Sequence, residues 1–250
     1  MCGRVRLKLP FAEIAKTINI LGPALNTRPM WNLAPTQDML VARRDHEAGA
    51  RVAEHMYWGL VPRWSKEPKM GYPTFNAKAD TVDTLSSFRA PWKEGKRCLV
   101  ITTGFYEWKK GRTNPKMKQP YAITLKSSEI MVMAGIWESW RGKDGETLRS
   151  CTVITTEANE FMEPVHTRMP VILREDEWSA WLGEDPASPP DLKAMLRPYA
   201  SNDDMQAWPV SERVGSYKNN DADLLTPVEV DQAEFGLGRH DPAPIQAQLV

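Results

Sequence analysis

The chain has 250 residues, 42% hydrophobic and 26% charged, with 32 Lys/Arg balancing 32 Asp/Glu. That is enough for one full core in proportions ordinary for a soluble globular protein, and nothing forces a split into two domains. Zero net charge argues against indiscriminate coating of nucleic acid, and no apolar run approaches the length that spans a membrane. The start lacks the charged-then-apolar layout of a signal peptide, so the expected location is cytoplasmic, or nuclear in a eukaryote. The average conceals an asymmetry: residues 61–120 hold thirteen Lys/Arg against five Asp/Glu, whereas residues 201–250 hold nine acidic and three basic side chains. The middle third is the candidate anion-binding face.

In chain order, Phe11 to Ile20 has apolar residues at helical spacing and is expected to form a short amphipathic helix. Strands are expected at Met39 to Ala42, Cys98 to Thr102, Tyr121 to Leu125, Ile130 to Trp137, Cys151 to Thr155 and Pro170 to Leu173, short apolar or alternating runs bounded by turn-forming or charged residues. Glu175 to Gly183 and Asp191 to Leu196 read as helices, the second entered through Pro189 and Pro190. Six or more strands with few helices between them fit an α+β fold: one domain over residues 2–228, with a mostly antiparallel, barrel-like β core and peripheral helices. Residues 229–250, punctuated by Gly236, Gly238, Pro242 and Pro244, read as a mobile tail.

Three cysteines, Cys2, Cys98 and Cys151, are odd in number and widely spaced, which suggests neither a disulfide framework nor a metal site. His46, His55, His166 and His240 show no ligand spacing, so no metal and no cofactor is expected. Cys98 and Cys151 each lead an apolar run and read as core thiols. Cys2 differs because removal of Met1 would give one residue both a free α-amine and a thiol. With ordinary pKa values near ~8 and ~8.5, a useful fraction of each is nucleophilic at neutral pH. The natural target of this 1,2-aminothiol is an aldehyde: the amine condenses to a Schiff base and the thiol closes on the same carbon as a thiazolidine. A chance cysteine after the initiator is the plainer alternative.

Three polar residues lie in strongly structured contexts: Asn76 in Pro73-Thr-Phe-Asn-Ala-Lys-Ala-Asp80, Glu107 in Gly104-Phe-Tyr-Glu-Trp108, and His166 in Pro164-Val-His-Thr-Arg-Met-Pro170. Singly, each fits a plainer role: a turn or cap, a strand-end surface carboxylate, and a loop histidine tied to backbone. Together with Met1-Cys-Gly-Arg4, Asn32-Leu-Ala-Pro-Thr36 and Trp58-Gly-Leu-Val-Pro-Arg-Trp64, these ordered motifs closely resemble the SOS-response-associated peptidase family, the SRAP domain, from Cys2 to about Pro227.

That resemblance implies a compact mixed fold around a β-barrel-like core, and protection of abasic sites in single-stranded DNA by a covalent thiazolidine link through Cys2. It places Asn76, Glu107 and His166 in the pocket and implies a basic DNA groove. Glu107, among aromatic neighbours, suits a proton shuttle for opening the abasic sugar and forming the imine. His166 suits holding the sugar hydroxyl or relaying a proton, and Asn76 fixing amine and sugar by hydrogen bonds. Arg4, Lys78 and Arg168, with help from Arg63, are expected at flanking phosphates, and Trp64 and Pro35 against neighbouring bases. Lys78 departs from the arginine many members carry, keeping the charge but losing the bidentate fork. The expected partner is therefore abasic single-stranded DNA, with no membrane, nucleoid association during DNA damage, and unidentified replication-fork proteins. The alternatives are a cysteine-type autopeptidase that removes its own N-terminal residue and a non-covalent single-stranded DNA-binding module. A lyase outcome follows if the imine forms untrapped, because β-elimination then cuts the strand.

Overall fold

The computed structural model describes residues 2–68 and 73–238. In the first half β1 (Val5–Leu7), α1 (Phe11–Ile18), β2 (Met30–Leu33), β3 (Asp38–Asp45), β4 (Ala50–Trp58), β5 (Asn76–Lys78), α2 (Arg89–Lys93), β6 (Arg97–Thr102) and β7 (Gly104–Lys110) follow one another. The second half adds β8 (Lys118–Leu125), β9 (Met131–Arg141), β10 (Thr147–Glu157), β11 (Arg168–Pro170), α3 (Trp178–Leu182), α4 (Pro189–Ala194), β12 (Met205–Pro209) and α5 (Gln232–Phe235).

Strands β10, β4, β3, β6 and β9 pair in that order, and β9 pairs back onto β10, so the five close into a barrel. All of these pairings are antiparallel except β10 with β4. Beyond the β4 contact β10 takes up β5 in parallel, and beyond the β9 contact it takes up β11. A second, antiparallel sheet runs β12-β8-β7-β1-β2. The expected α+β architecture, a largely antiparallel barrel with peripheral helices, is the one observed.

The apolar runs of β3 and β6 are continuous because both of their faces are covered. Met39, Val41, Cys98 and Val100 share a core with Phe105 and Ile123 of the second sheet. Their alternates Leu40, Ala42, Leu99 and Ile101 pack with Ile14 and Ile18 of α1, Trp181 and Leu182 of α3 and Leu192 of α4. Each fully buried Leu or Ile contributes roughly 1.5–3 kcal/mol, so losing either layer would unfold the barrel. Burial pushes the Cys98 and Cys151 thiols far above their ordinary range, which keeps both protonated and inert in the core.

Helix α1 stops at Ile18, two residues short of the expected end, because Asn19 turns left-handed at φ 55°. Strands β1, β2, β4, β5, β7 and β12 are absent from the expected set, and the strand expected at Pro170 to Leu173 lies earlier, as β11 at Arg168–Pro170. In β4 the charged residues Arg51 and Glu54 interrupt the apolar pattern, and in β7 the inward positions after Phe105 are Glu107 and Lys109. The chain beyond residue 228 also departs from a mobile tail, at least to residue 238. Glu234 accepts hydrogen bonds from the backbone N–H groups of Thr113 and Asn114 and from the Thr113 hydroxyl. Tyr121 donates its hydroxyl to the Phe235 carbonyl at 2.8 Å, and Leu237 joins the main core. Glycine and proline content hid these anchors; residues 239–250 lie outside the described residues.

Gly104 opens β7 at φ 138°, a region side chains rarely adopt, and an added Cβ would fall far inside contact distance of the Ile123 carbonyl oxygen and 2.5 Å from the Arg6 guanidinium. Arg6 cannot give way cheaply, since it is buried with Nη2 donating to Ile123 O at 3.3 Å and its guanidinium over the Tyr106 and Trp208 rings. Gly104→Ala is expected to destabilise the fold by about 3 kcal/mol or more, read as a lowered urea midpoint. A midpoint within error of the parent would contradict this packing.

Candidate active site

Strand β1 lies between β2 and β7, with Val5 opposite both Leu33 and Phe105. The pairing extends upstream, where the Tyr106 N–H donates to the Arg4 carbonyl at 2.9 Å. Cys2 is thereby drawn into the core at 1% exposure. Asn76, from the barrel side, is fixed by β5 opposite Val153 of β10, and its Nδ2 donates to the Cys2 carbonyl at 2.8 Å. Its Oδ1 is buried without a hydrogen-bond partner among the described residues.

Glu107 comes from β7, on the strand face it shares with Phe105. It is 5% exposed, and Oε1 accepts the Trp108 N–H at 3.2 Å. Its charge is felt in two directions. The Cys2 thiol is pushed far up, first by burial and then by the Glu107 carboxylate. His166 is held below the ordinary imidazole range by burial, with the Glu107 charge opposing that shift. One carboxylate therefore couples electrostatically to a thiol and to an imidazole.

His166 ends a loop between β10 and β11, closed by the Ala158 N–H donating to the Thr167 carbonyl at 3.0 Å. Inside it Asn159 Oδ1 accepts the Met162 N–H, the His166 N–H donates to the Met162 carbonyl, and Phe161, Met162 and Val165 anchor it in the core. The Arg168 N–H lies 3.0 Å from His166 Nδ1. The Arg168 carbonyl oxygen lies 3.2 Å from the same ring nitrogen, so the Arg168 backbone holds the imidazole through Nδ1 in either tautomer. Cys2, Asn76, Glu107 and His166 thus converge from four separate segments.

The residues expected to meet DNA are more scattered. Lys78 is exposed and Arg168 half-buried, on the two strands that flank the end of β10: Lys78 pairs with Thr155, and Arg168 with Glu157. Arg168 Nη2 donates to the Thr155 carbonyl at 2.6 Å, which fixes the guanidinium against β10. Trp64 is 60% exposed and lines an open hollow of about 530 Å³ with Leu60, Val61, Pro62 and Lys66. Arg63 pairs with Glu94 at 2.5 Å on the surface. Pro35 is half-buried in the turn from β2 to β3, where the Thr36 N–H donates to the Trp58 carbonyl. Arg4 is largely spent on the fold: its guanidinium donates to Asn32 Oδ1 and to the Val214 and Gly215 carbonyls.

Lys109 was not among the expected site residues. It is 5% exposed, two residues beyond Glu107 on the same strand face, and its Nζ donates to the Pro164 carbonyl at 2.6 Å. Strand periodicity was the available signal, since i and i+2 share a face once Gly104 to Lys110 is read as a strand. Among the described residues no group of three or more His, Cys, Asp and Glu is placed to hold a metal ion, and no helix is long and apolar enough to cross a membrane.

Burial weakens the hold of folded His166 on a proton. Below the unfolded value of about 6.5 the unfolded chain takes a proton that the folded site refuses, so stability is full above that pH and falls as pH drops towards the folded value. His166→Gln is expected to lose less stability than the parent when urea midpoints at about pH 7.5 and about pH 5.5 are compared. Equal losses would mean that His166 titrates as it does in the unfolded chain.

The family model described as "SOS response associated peptidase (SRAP)" matches residues 1–217. The abasic site processing protein YoqW of Bacillus subtilis (strain 168) is 41% identical over 227 residues, 90% of this chain and 99% of the relative. The abasic site processing protein HMCES of Gallus gallus is 36% identical over 234 residues, 81% of this chain and 67% of the relative. A crystal structure of a protein from Bacteroides thetaiotaomicron superposes with a TM-score of 0.79 at 25% identity, covering 91% of this chain and 100% of that one. With motifs, barrel and family model in agreement, the chain belongs to the SRAP family.

Proposed function

We propose that this protein captures abasic sites in single-stranded DNA covalently, through Cys2 after removal of Met1. The observation that carries the reading is the buried position of Glu107, whose charge acts on both the Cys2 thiol and the His166 ring, with Asn76 hydrogen-bonded to the Cys2 carbonyl beside them. The names of the relatives, which are abasic site processing proteins, agree with it.

The chemistry runs in three steps. Proton transfer opens the cyclic hemiacetal of the abasic sugar to its aldehyde, with Glu107 and His166 as the exchanging groups. The Cys2 α-amine adds to the carbonyl and water leaves, giving an imine. The thiol then adds across the C=N bond, sulfur to carbon and proton to nitrogen, which closes the thiazolidine. A buried, protonated thiol needs a nearby acceptor to deliver sulfur and proton separately, and Glu107 is the carboxylate coupled to it. Asn76 Oδ1, buried and unpartnered among the described residues, is the acceptor for the amine N–H.

Outside the pocket, Lys78 and Arg168 supply phosphate contacts, and exposed Trp64 a stacking surface worth ~1–3 kcal/mol per base. Pro35 adds apolar contact to a neighbouring base. Arg63 can exchange its exposed Glu94 partner for phosphate, because such surface pairs contribute only about 0–1 kcal/mol. Arg4 reaches a phosphate with the donors that Asn32 and the 214–215 carbonyls leave over.

Cys2→Ala is expected to abolish the denaturant-stable adduct with an abasic oligonucleotide on a gel, while leaving an imine that borohydride traps. A stable, full-yield adduct from this variant would sink the assignment. Glu107→Gln should slow adduct formation at saturating protein and remove one limb of its pH profile, with DNA binding nearly unchanged; a parental rate and profile would take the proton transfer away from Glu107. The plot of log affinity against log salt should flatten by about 0.7 in slope for each of Lys78→Ala and Arg168→Ala. An unchanged slope in both would place the DNA path elsewhere.

A further inference from the structure

Lys109 occupies a position that does not suit a lysine unless its ammonium is used. Along β7 the inward residues are Phe105, Glu107 and Lys109, all at or below 5% exposure, while Tyr106 and Trp108 pack into a separate apolar cluster on the other face. An ammonium taken out of water costs several kcal/mol unless hydrogen bonds compensate it. One such bond is to the Pro164 carbonyl at 2.6 Å, the short distance of a charge-assisted contact. Pro164 stands two residues before His166, and Lys109 two residues after Glu107. The bond therefore runs between the strand that carries the carboxylate and the loop that carries the imidazole.

Several other hydrogen bonds of the loop serve different ends. Those of Ala158 with Thr167, Asn159 with Met162, and Met162 with His166 shape the loop internally. Asn159 Nδ2 donates to the Tyr199 carbonyl and ties the start of the loop to the segment before β12. The Lys109 contact fixes its far half against β7. A strand holds Glu107 rigidly, but a loop keeps its side chain in place only as well as its anchors do, and a displacement of about 1 Å can cost on the order of a hundredfold in rate.

We propose that Lys109 is a positioning residue that holds the Pro164–His166 segment against β7, so that His166 stays within the electrostatic reach of Glu107. In its catalytic consequence this rests on the covalent-capture reading; in its structural part it does not. Lys109 touches neither amine nor aldehyde, and acts through His166.

The test has two arms. In the first, the imidazole ¹⁵N spectra of the folded protein without DNA are followed through a pH titration, with His166 assigned by His166→Ala. The parent should show a His166 imidazole titrating below the ordinary histidine range, and Lys109→Met, a chain of similar length without a donor, should change its tautomer balance or its midpoint. In the second, adduct formation with an abasic oligonucleotide is timed in a double-mutant cycle. Lys109→Met should slow the parent about tenfold but a His166→Ala background less than about twofold, the non-additivity expected of residues acting as a unit. Should Lys109→Met fail to fold, Lys109→Gln takes its place in both arms, keeping a donor on a stem too short for Pro164. An unchanged His166 spectrum in a folded variant, or full additivity in the cycle, overturns the proposal. If the parent forms no adduct, the capture reading fails, and the His166 spectra alone decide the positioning role.

Discussion

The hydrogen bond from Asn76 Nδ2 to the Cys2 carbonyl is the contact on which the arrangement of the site depends. It joins two bodies: Asn76 is held by the parallel pairing of β5 with β10, and Cys2 leads into β1 in the middle of the second sheet. A single buried hydrogen bond contributes only about 0.5–1.5 kcal/mol net, so its importance is geometric. A residue next to a chain end ordinarily frays. Here the Cys2 backbone is gripped from the barrel while its thiol enters the shared core.

The same junction explains why so many polar groups are buried at one place. The barrel and the second sheet meet over an apolar layer of Val41, Cys98, Phe105 and Ile123, and at its edge the layer gives way to Asn76, Glu107, Lys109 and the half-buried His166. Each of these would lower stability if left unsolvated without a partner. They are held by bonds to backbone atoms: Asn76 to Cys2 O, Glu107 from Trp108 N, Lys109 to Pro164 O and His166 from Arg168 N. Backbone partners do not swing away, which keeps the ionisable groups in fixed relation before any substrate arrives. The basic rim lies outside this layer, where Lys78 remains exposed and Arg168 is fastened to β10.

The motif residues were more legible in the sequence than the topology was. Cys2, Asn76, Glu107 and His166 stood out because each lies in a short motif, and the fold brings all four together. The strands β3, β6, β9 and β10 were legible because coverage on both faces demands unbroken apolar runs. Strand β7 was not, because its inward face ends in the buried polar residues Glu107 and Lys109, which break the apolar alternation. Lys109 was missed with it. Arg4 showed the opposite limit: its charge and its place beside Cys2 suggested a phosphate contact, and only the fold reveals that Asn32 and the 214–215 carbonyls engage it. The 229–238 segment looked mobile by composition, whereas Glu234, Phe235 and Leu237 fasten it to the β7–β8 connection and the core.

Covalent capture as proposed uses two groups of one residue, the amine and the thiol of Cys2. Intact-mass analysis of the product with an abasic oligonucleotide, with and without borohydride, tests that directly. The predicted product has the mass of the chain without Met1 plus the oligonucleotide less one water, unchanged by borohydride because a thiazolidine has no C=N bond to reduce. A product that retains Met1, or one that gains two hydrogens on reduction, would contradict capture by the N-terminal aminothiol.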